Sequence, residues 1–171
     1  MILLWYFMLY SFLGFLLEVA FARVTGHPKR DRKCLLLLPL CPVYGIGAIL
    51  IRQLTQLWVG PLWVMAAGFL GATAAELGMG MFYRGFLKVD FWDYSSQAFN
   101  LKGLICLRFS LYWSVLALLL TYGIDPLVLP LLAAVPPWLD MPSAILLGVD
   151  GAVSAFALRM TGTTDVLRWY K

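Results

Sequence analysis

Four ionisable side chains lie within stretches that are otherwise apolar enough to cross a lipid bilayer: Glu18, Glu76, Arg108 and Asp150. A charged side chain at the bilayer centre costs about 2.5 to 3.5 kcal/mol even on insertion-based scales, so such residues are kept mainly where they pair, line a cavity or act. Three acids and one base could bind a cationic solute, exchange protons or form a structural ion-pair network. We therefore treat these positions as candidates for a substrate-binding or ion-binding site.

The composition of the chain indicates which class of protein must position these residues. Of its 171 residues, 62% are hydrophobic and 13% are charged, whereas a soluble domain is about half apolar and about a quarter charged. The sequence predicts an all-α, polytopic transmembrane helical bundle that forms one integral membrane domain over residues 1–171, with the lipid bilayer as its surroundings. The formal net charge of +4 does not indicate a nucleic-acid partner, because the basic residues cluster in short loops beside apolar runs.

The apolar runs predict about five membrane spans. These lie near residues 2–22, 34–51, 57–83, 104–122 and 142–158. Residues 125–138 are also apolar but contain four prolines, and prolines at that density predict a broken or interfacial segment rather than a sixth crossing.

The distribution of Lys and Arg predicts the orientation of the bundle, because loops on the cytoplasmic side carry an excess of these residues. With five spans, an N-terminus outside and a C-terminus in the cytoplasm, only Arg52 lies outside. The cytoplasmic set is Arg23, Lys29, Arg30, Arg32, Lys33, Arg84, Lys88, Lys102, Arg159, Arg168 and Lys171.

This orientation predicts one polar cavity in the cytoplasmic half of the bundle, lined by Glu18, Tyr44, Glu76, Arg108 and Asp150. Helical spacing supports it, because each acid recurs with small residues at intervals of three or four along one packing face. In the third span this face is Gly68, Ala72, Glu76 and Gly80. A buried Glu76–Arg108 ion pair and a capping role for Asp150 remain the structural alternatives.

Two further segments could shape such a cavity. Pro42, Gly45 and Gly47 predict a helix break in the second span, which could expose backbone carbonyls to a ligand or serve only to bend the chain. The long connection between the third and fourth spans is predicted to be a cytoplasmic loop that acts either as a gate or as a headgroup anchor. Its candidate residues are Trp92, Asp93, Tyr94 and Asn100.

The order of four segments along the chain, SFLGFLLEV, CPVYGIGA, AAELG and FWDYSSQAFNLKGLICLRFSLYW, resembles the ABC-transporter permease, type IV family of small bacterial membrane proteins. The resemblance implies a transport role and a location in the bacterial cytoplasmic membrane. The segment RKCLLLLPL before CPVYG departs from the family pattern. The family-like positions are Gly14, Glu18, Pro42, Tyr44, Gly45, Glu76, Trp92, Asp93, Tyr94, Asn100, Gly103 and Trp113.

Several absences in the sequence limit the chemistry. No G-x-x-x-x-G-K-[ST] phosphate-binding run occurs, so an ATP-driven transporter would need a separate ATPase subunit. His27 is the only histidine, and neither a metal site nor a cofactor is predicted. Cys34, Cys41 and Cys106 are interpreted as unclustered, reduced packing residues.

The sequence favours a permease-like membrane transport component of unknown substrate, with no catalytic residue assigned. One alternative is an intramembrane enzyme acting on a lipid or prenyl substrate, with Glu76 or Asp150 as general base and Arg108 holding a phosphate. Another is a structural or regulatory membrane subunit. A homodimer with the site at its interface also remains open.

Overall fold

The computed structural model describes residues 2–26 and 34–168 as a bundle of helices. This confirms the predicted all-α transmembrane architecture, while residues 27–33 of the basic loop and the tail at 169–171 lie outside the described residues. The helices are α1 (Ile2–Val24), α2 (Pro42–Thr55), α3 (Pro61–Leu87), α4 (Leu107–Ala133) and α5 (Asp140–Thr161), and two short antiparallel strands are β1 (Asn100–Leu101) and β2 (Ile105–Cys106).

Among the described residues, four helical stretches are long and apolar enough to cross a membrane: α1, α3, α4, and α5 together with the preceding 3-10 turn Pro137–Leu139. The helix α2 has only 14 residues, so it spans about 21 Å and falls short of a hydrocarbon core of about 30 Å. The second predicted span is therefore not one continuous helix.

The chain before α2 is non-helical over residues 34–41, and we call this stretch the non-helical segment. The sequence predicted a helix over 34–51 with a break at Pro42, Gly45 and Gly47, but α2 runs unbroken through both glycines. The change of structure lies before Pro42, which is the first helical residue. Proline suits that position because its fixed φ is helical and its missing N–H is not needed there.

The fourth helix also differs from the prediction of a broken segment at residues 125–138. Helix α4 continues through Pro126 and Pro130 to Ala133, after a wide π-type turn at Leu119–Ile124. Proline removes one backbone hydrogen bond and crowds the preceding turn, and a widened turn is one way for a helix to accommodate that crowding. The helix ends only before Pro136 and Pro137, where the chain turns into α5.

The core of the bundle lies between α1, α2, α3 and α4. Small residues allow these helices to approach closely, and the predicted face of Gly68, Ala72, Glu76 and Gly80 is buried along its whole length. Helix α5 packs at the side, against the end of α3. Because α1 and α3 run in the same direction and end near residues 88–106, we call that side of the bundle the loop end.

Candidate functional site

A cavity of about 560 Å³ lies between α1, α2, α3, α4 and the loop that joins α3 to α4. Glu18, Tyr44 and Glu76, three of the five predicted site residues, line it together with Tyr94 of the loop. Aromatic rings form much of the remaining wall. These are Phe21, Phe91, Trp92, Phe109, Tyr112 and Trp113.

Glu76 is the most deeply buried acid of the cavity. Glu76 is 5% exposed, and the Tyr94 hydroxyl donates a 2.7 Å hydrogen bond to Glu76 Oε1. The other carboxylate oxygen, Oε2, is buried and has no hydrogen-bond partner in the described part of the chain. Buried polar atoms are nearly always paired in native structures. An oxygen without a donor is therefore unusual, and a ligand in the cavity could supply the missing donor.

Glu18, the other acid of the cavity, is held by a residue of α2. The Tyr44 hydroxyl donates a 2.5 Å hydrogen bond to Glu18 Oε1, and the Tyr44 ring packs on Trp113 with ring centroids 4.9 Å apart. Gly14 makes this arrangement fit, because a Cβ atom at that position would overlap the Tyr44 ring. The first two helices therefore fix this carboxylate through a tyrosine.

The loop positions Tyr94 by folding back against the bundle. The Tyr94 amide donates to the Gly103 carbonyl at 2.8 Å, the Gly103 amide donates to Asn100 Oδ1 at 3.1 Å, and the Tyr94 ring stacks on Phe109. Burial and the nearby Glu76 carboxylate raise the pKa of Tyr94 above its ordinary value. The hydroxyl therefore remains protonated and can donate to Glu76.

The other predicted loop residues stabilise this fold of the loop. The Trp92 indole N–H donates to the Leu104 carbonyl at 2.8 Å. Asp93 Oδ1 accepts from the Ser95 hydroxyl and from the Ser95 amide, and these bonds lower the pKa of the exposed Asp93 carboxyl. Because Tyr94 is buried against Glu76, it is not a headgroup anchor.

One known protein family matches most of the chain, including the helices and the loop that form the cavity. Residues 5–154 match the family described as "Putative ABC-transporter type IV", a range that includes all the cavity acids and the loop. The chain belongs to this family. It is an ABC-transporter-related membrane protein, as the sequence resemblance implied. No curated protein and no solved structure matches the chain significantly.

In this type IV family member, Asp150 does not line the cavity. It accepts hydrogen bonds from backbone amides of the non-helical segment. Its carboxylate accepts the amides of Leu37 and Leu38 at 2.9 and 2.7 Å, and the neighbouring Ser154 hydroxyl accepts the Leu36 amide at 2.7 Å. A non-helical backbone within a membrane protein needs such acceptors, since lipid supplies none. The structure thus places Asp150 in the structural role that the sequence left as an alternative.

Arg108 is also outside the cavity. It is the second residue of α4 and is exposed, its Nε donates to the Tyr112 hydroxyl at 2.9 Å, and its guanidinium lies 5.6 Å from the Tyr112 ring centroid. The Glu76–Arg108 ion pair, which the sequence left as a structural alternative, is not formed, because Arg108 lies on the exposed side of α4 whereas Glu76 is buried.

A second buried polar cluster was missed by the sequence analysis. Asp125 of α4 accepts hydrogen bonds from Tyr10 at 2.6 Å and Tyr6 at 3.1 Å, and Arg52 of α2 lies 3.7 Å from it. Because residues 125–138 were predicted to be a broken or interfacial segment, Asp125 was not considered as an acid buried among the helices. Two features of the sequence could have indicated this cluster. Tyr6 and Tyr10 lie four residues apart on α1, and Arg52 is the one basic residue that the sequence predicts on the outer side of the membrane.

Two of the three cysteines are neighbours, contrary to the expectation of an unclustered set. The sulfur atoms of Cys34 and Cys41 lie 2.7 Å apart at opposite ends of the non-helical segment, and both residues line the cavity. Cys106 is buried at the end of β2.

Proposed function

We propose that the protein is a permease-like membrane component of a transporter and that its cavity binds a small organic cation. The observation that carries this proposal is the buried, unpartnered Oε2 of Glu76 in a cavity that also contains Glu18. A carboxylate oxygen kept out of water without a donor favours a ligand that supplies positive charge.

The charge of the cavity wall supports a cation rather than an anion. Within the described chain, no Lys, Arg or His lines the cavity, while two carboxylates do. Arg108, which would have held a phosphate in the lipid-enzyme alternative, is exposed and bonded to Tyr112. That alternative therefore loses the residue on which it depended.

The aromatic wall supports an organic cation rather than a bare metal ion. Faces of Trp, Tyr and Phe attract cations through their ring quadrupoles, and aromatic cages are a common way to bind quaternary ammonium groups. The volume of about 560 Å³ lies within the roughly 300 to 1,000 Å³ of small-molecule sites. The probe of choice is therefore a quaternary ammonium compound.

The sequence supports a proposal for the side of the membrane on which the cavity opens and for an ATPase partner. The loop end carries Arg84, Lys88 and Lys102, so we propose that the cavity opens toward the cytoplasm of a bacterial cell. Since the sequence contains no phosphate-binding loop, the energy of ATP would have to come from a separate ATPase subunit.

A binding experiment tests the cation site directly. In nanodiscs, calorimetry should show that choline binds at least tenfold more tightly than its uncharged analogue 3,3-dimethylbutan-1-ol. Glu76→Gln and Glu18→Gln should each weaken choline binding at least tenfold, or by about 1.4 kcal/mol or more. Asp165→Asn is the matched control, because this exposed acid lies outside the cavity. Equal affinity for both compounds, or unchanged affinity in Glu76→Gln, would refute the site.

Transport is separated from binding by exchange across a membrane. Proteoliposomes loaded with unlabelled choline should take up labelled choline by counterflow, which needs no ATP, and Glu76→Gln should abolish this exchange. Binding without exchange would leave a cation site but would reject the permease-like role in favour of a regulatory subunit.

A further inference from the structure

We propose that Cys34 and Cys41 form a redox-active dithiol in the cavity wall, which reacts with small, uncharged organic disulfides to give an intramolecular disulfide. The proposal is independent of the cation site, because it rests on the two sulfur atoms and the backbone that holds them.

The distance between the sulfurs is the first observation. At 2.7 Å the Sγ atoms are about 0.7 Å farther apart than in a disulfide bond of about 2.05 Å. Closing that gap requires small side-chain rotations.

The non-helical segment is what brings the two sulfurs together. Residues seven apart in an α-helix are separated by about 10.5 Å along the axis, so the helix predicted over 34–51 would have kept the cysteines apart. Here the backbone is held in its middle, where the Leu37 and Leu38 amides bond to Asp150, and at its far end, where the Cys41 amide donates to the Ser11 carbonyl at 2.9 Å.

The two cysteines differ in solvent exposure, and this difference indicates which thiol reacts first. Cys34 is half-buried, whereas Cys41 is 1% exposed, and both border the cavity of about 560 Å³ through which a reagent can arrive. Cys34 is therefore the attacking residue, and Cys41 is the residue that resolves the mixed disulfide.

The reaction balances with one molecule of disulfide reagent. The Cys34 thiolate attacks one sulfur of the reagent, whose S–S bond breaks and releases one thiol, which takes up the proton lost by Cys34. The Cys41 thiolate then attacks the Cys34 sulfur and releases the second thiol, which takes up the proton from Cys41. Two electrons pass from the protein to the reagent, and the Cys34–Cys41 bond is formed.

A metal site explains the pair less well. Structural zinc sites use four ligands, but residues 2–26 and 34–168 contain no group of three or more His, Cys, Asp or Glu side chains able to share a metal. The disulfide needs only the two atoms that are already in contact.

Mass spectrometry of the full chain in detergent tests the proposal. Incubation with the uncharged reagent bis(2-hydroxyethyl) disulfide should remove two hydrogen atoms from the intact mass, and tandem spectra should locate the link between Cys34 and Cys41. The number of thiols that react with an alkylating reagent after denaturation should fall from three to one. Reduction with dithiothreitol should restore all three.

Matched variants define the order of the steps. Cys41→Ser should stop at the mixed disulfide, gaining the mass of one 2-hydroxyethylthio group at Cys34, whereas Cys106→Ser should still form the internal bond. Absence of a Cys34–Cys41 link in the folded wild-type protein at every ratio of bis(2-hydroxyethyl) disulfide to 2-mercaptoethanol would overturn the proposal. A link that appears only after denaturation, or protection of the thiols by Zn²⁺ alone, would overturn it equally.

Discussion

At the scale of single residues, each carboxylate of the cavity is held by one tyrosine from another part of the chain. Tyr44 of α2 donates to Glu18 of α1, and Tyr94 of the loop donates to Glu76 of α3. A tyrosine hydroxyl can orient a carboxyl group without adding a charge of its own, so each acid is held in place by a neutral partner.

Tyr94→Phe should show how much the bond to Glu76 contributes. The ring can still stack on Phe109, but Glu76 loses its donor, and a buried acceptor left unpaired costs about 1–3 kcal/mol. Thermal unfolding in detergent, followed by circular dichroism, should therefore show a lower midpoint. Tyr112→Phe is the control, since the hydroxyl of this exposed residue accepts a hydrogen bond from the surface residue Arg108. Equal shifts in the two variants would contradict the prediction.

Gly14→Ala should disturb the other acid. The new Cβ atom would overlap the Tyr44 ring, so the ring must move and its bond to Glu18 should be lost, at a cost of about 1–3 kcal/mol for overpacking. Choline affinity and the unfolding midpoint should both fall. Gly148→Ala in α5, where no atom lies within 4 Å of the added carbon, should be neutral or slightly stabilising. A Gly14→Ala protein that matches Gly148→Ala would rule out the close approach.

At the scale of the elements, the membrane helices could be located from the sequence because long apolar runs are nearly sufficient to define them. The non-helical segment could not, since a run such as Leu35 to Leu38 is equally apolar in helical and irregular backbone. The continuation of α4 past Pro126 was missed because a widened turn before a proline has no clear sequence signal.

The site was partly predictable for a related reason. Helical spacing correctly put Glu76 on a buried face, but it does not say how one helix is rotated relative to the next. That rotation decides that Glu18 and Glu76 share a cavity while Asp150 faces the non-helical segment. It also decides that Arg108 lies on the exposed side of α4.

Asp150→Asn should separate a structural role from a binding role. An amide has one acceptor oxygen, so it cannot serve the Leu37 and Leu38 amides as the carboxylate does, and a loss of about 1–3 kcal/mol in unfolding free energy is expected. Choline affinity of the folded protein should not change, because Asp150 does not line the cavity. Weaker binding at unchanged stability would return Asp150 to the site.

At the scale of the whole molecule, the number of crossings depends on the non-helical segment and α2, since four other helical stretches are long and apolar enough to span a membrane. If this segment and α2 together form the second of five predicted crossings, the two ends of the domain lie on opposite sides of the membrane. The exposed apolar residues of α5, such as Ile145, Val149 and Phe156, suit lipid as well as a second copy, so the homodimer remains a prediction.

Fusion proteins test the predicted orientation. A green fluorescent protein fused after Lys171 should fluoresce, and alkaline phosphatase at the same place should be inactive, because it needs the oxidising side of the membrane to form its disulfides. Alkaline phosphatase inserted at residues 134–136, between α4 and α5, should be active. The reverse pattern would place the loop end, and with it the cavity, on the outer side.

The bond between Asp150 and the non-helical segment also sets an order of assembly. The Leu36, Leu37 and Leu38 amides are made before their acceptors Ser154 and Asp150, which belong to α5. Until α5 is made, these two acceptors are absent, and lipid offers no substitute for them. The non-helical segment can therefore reach its final structure only after α5 has been made, and we expect a nascent chain that stops before α5 to remain a substrate for chaperones and membrane proteases.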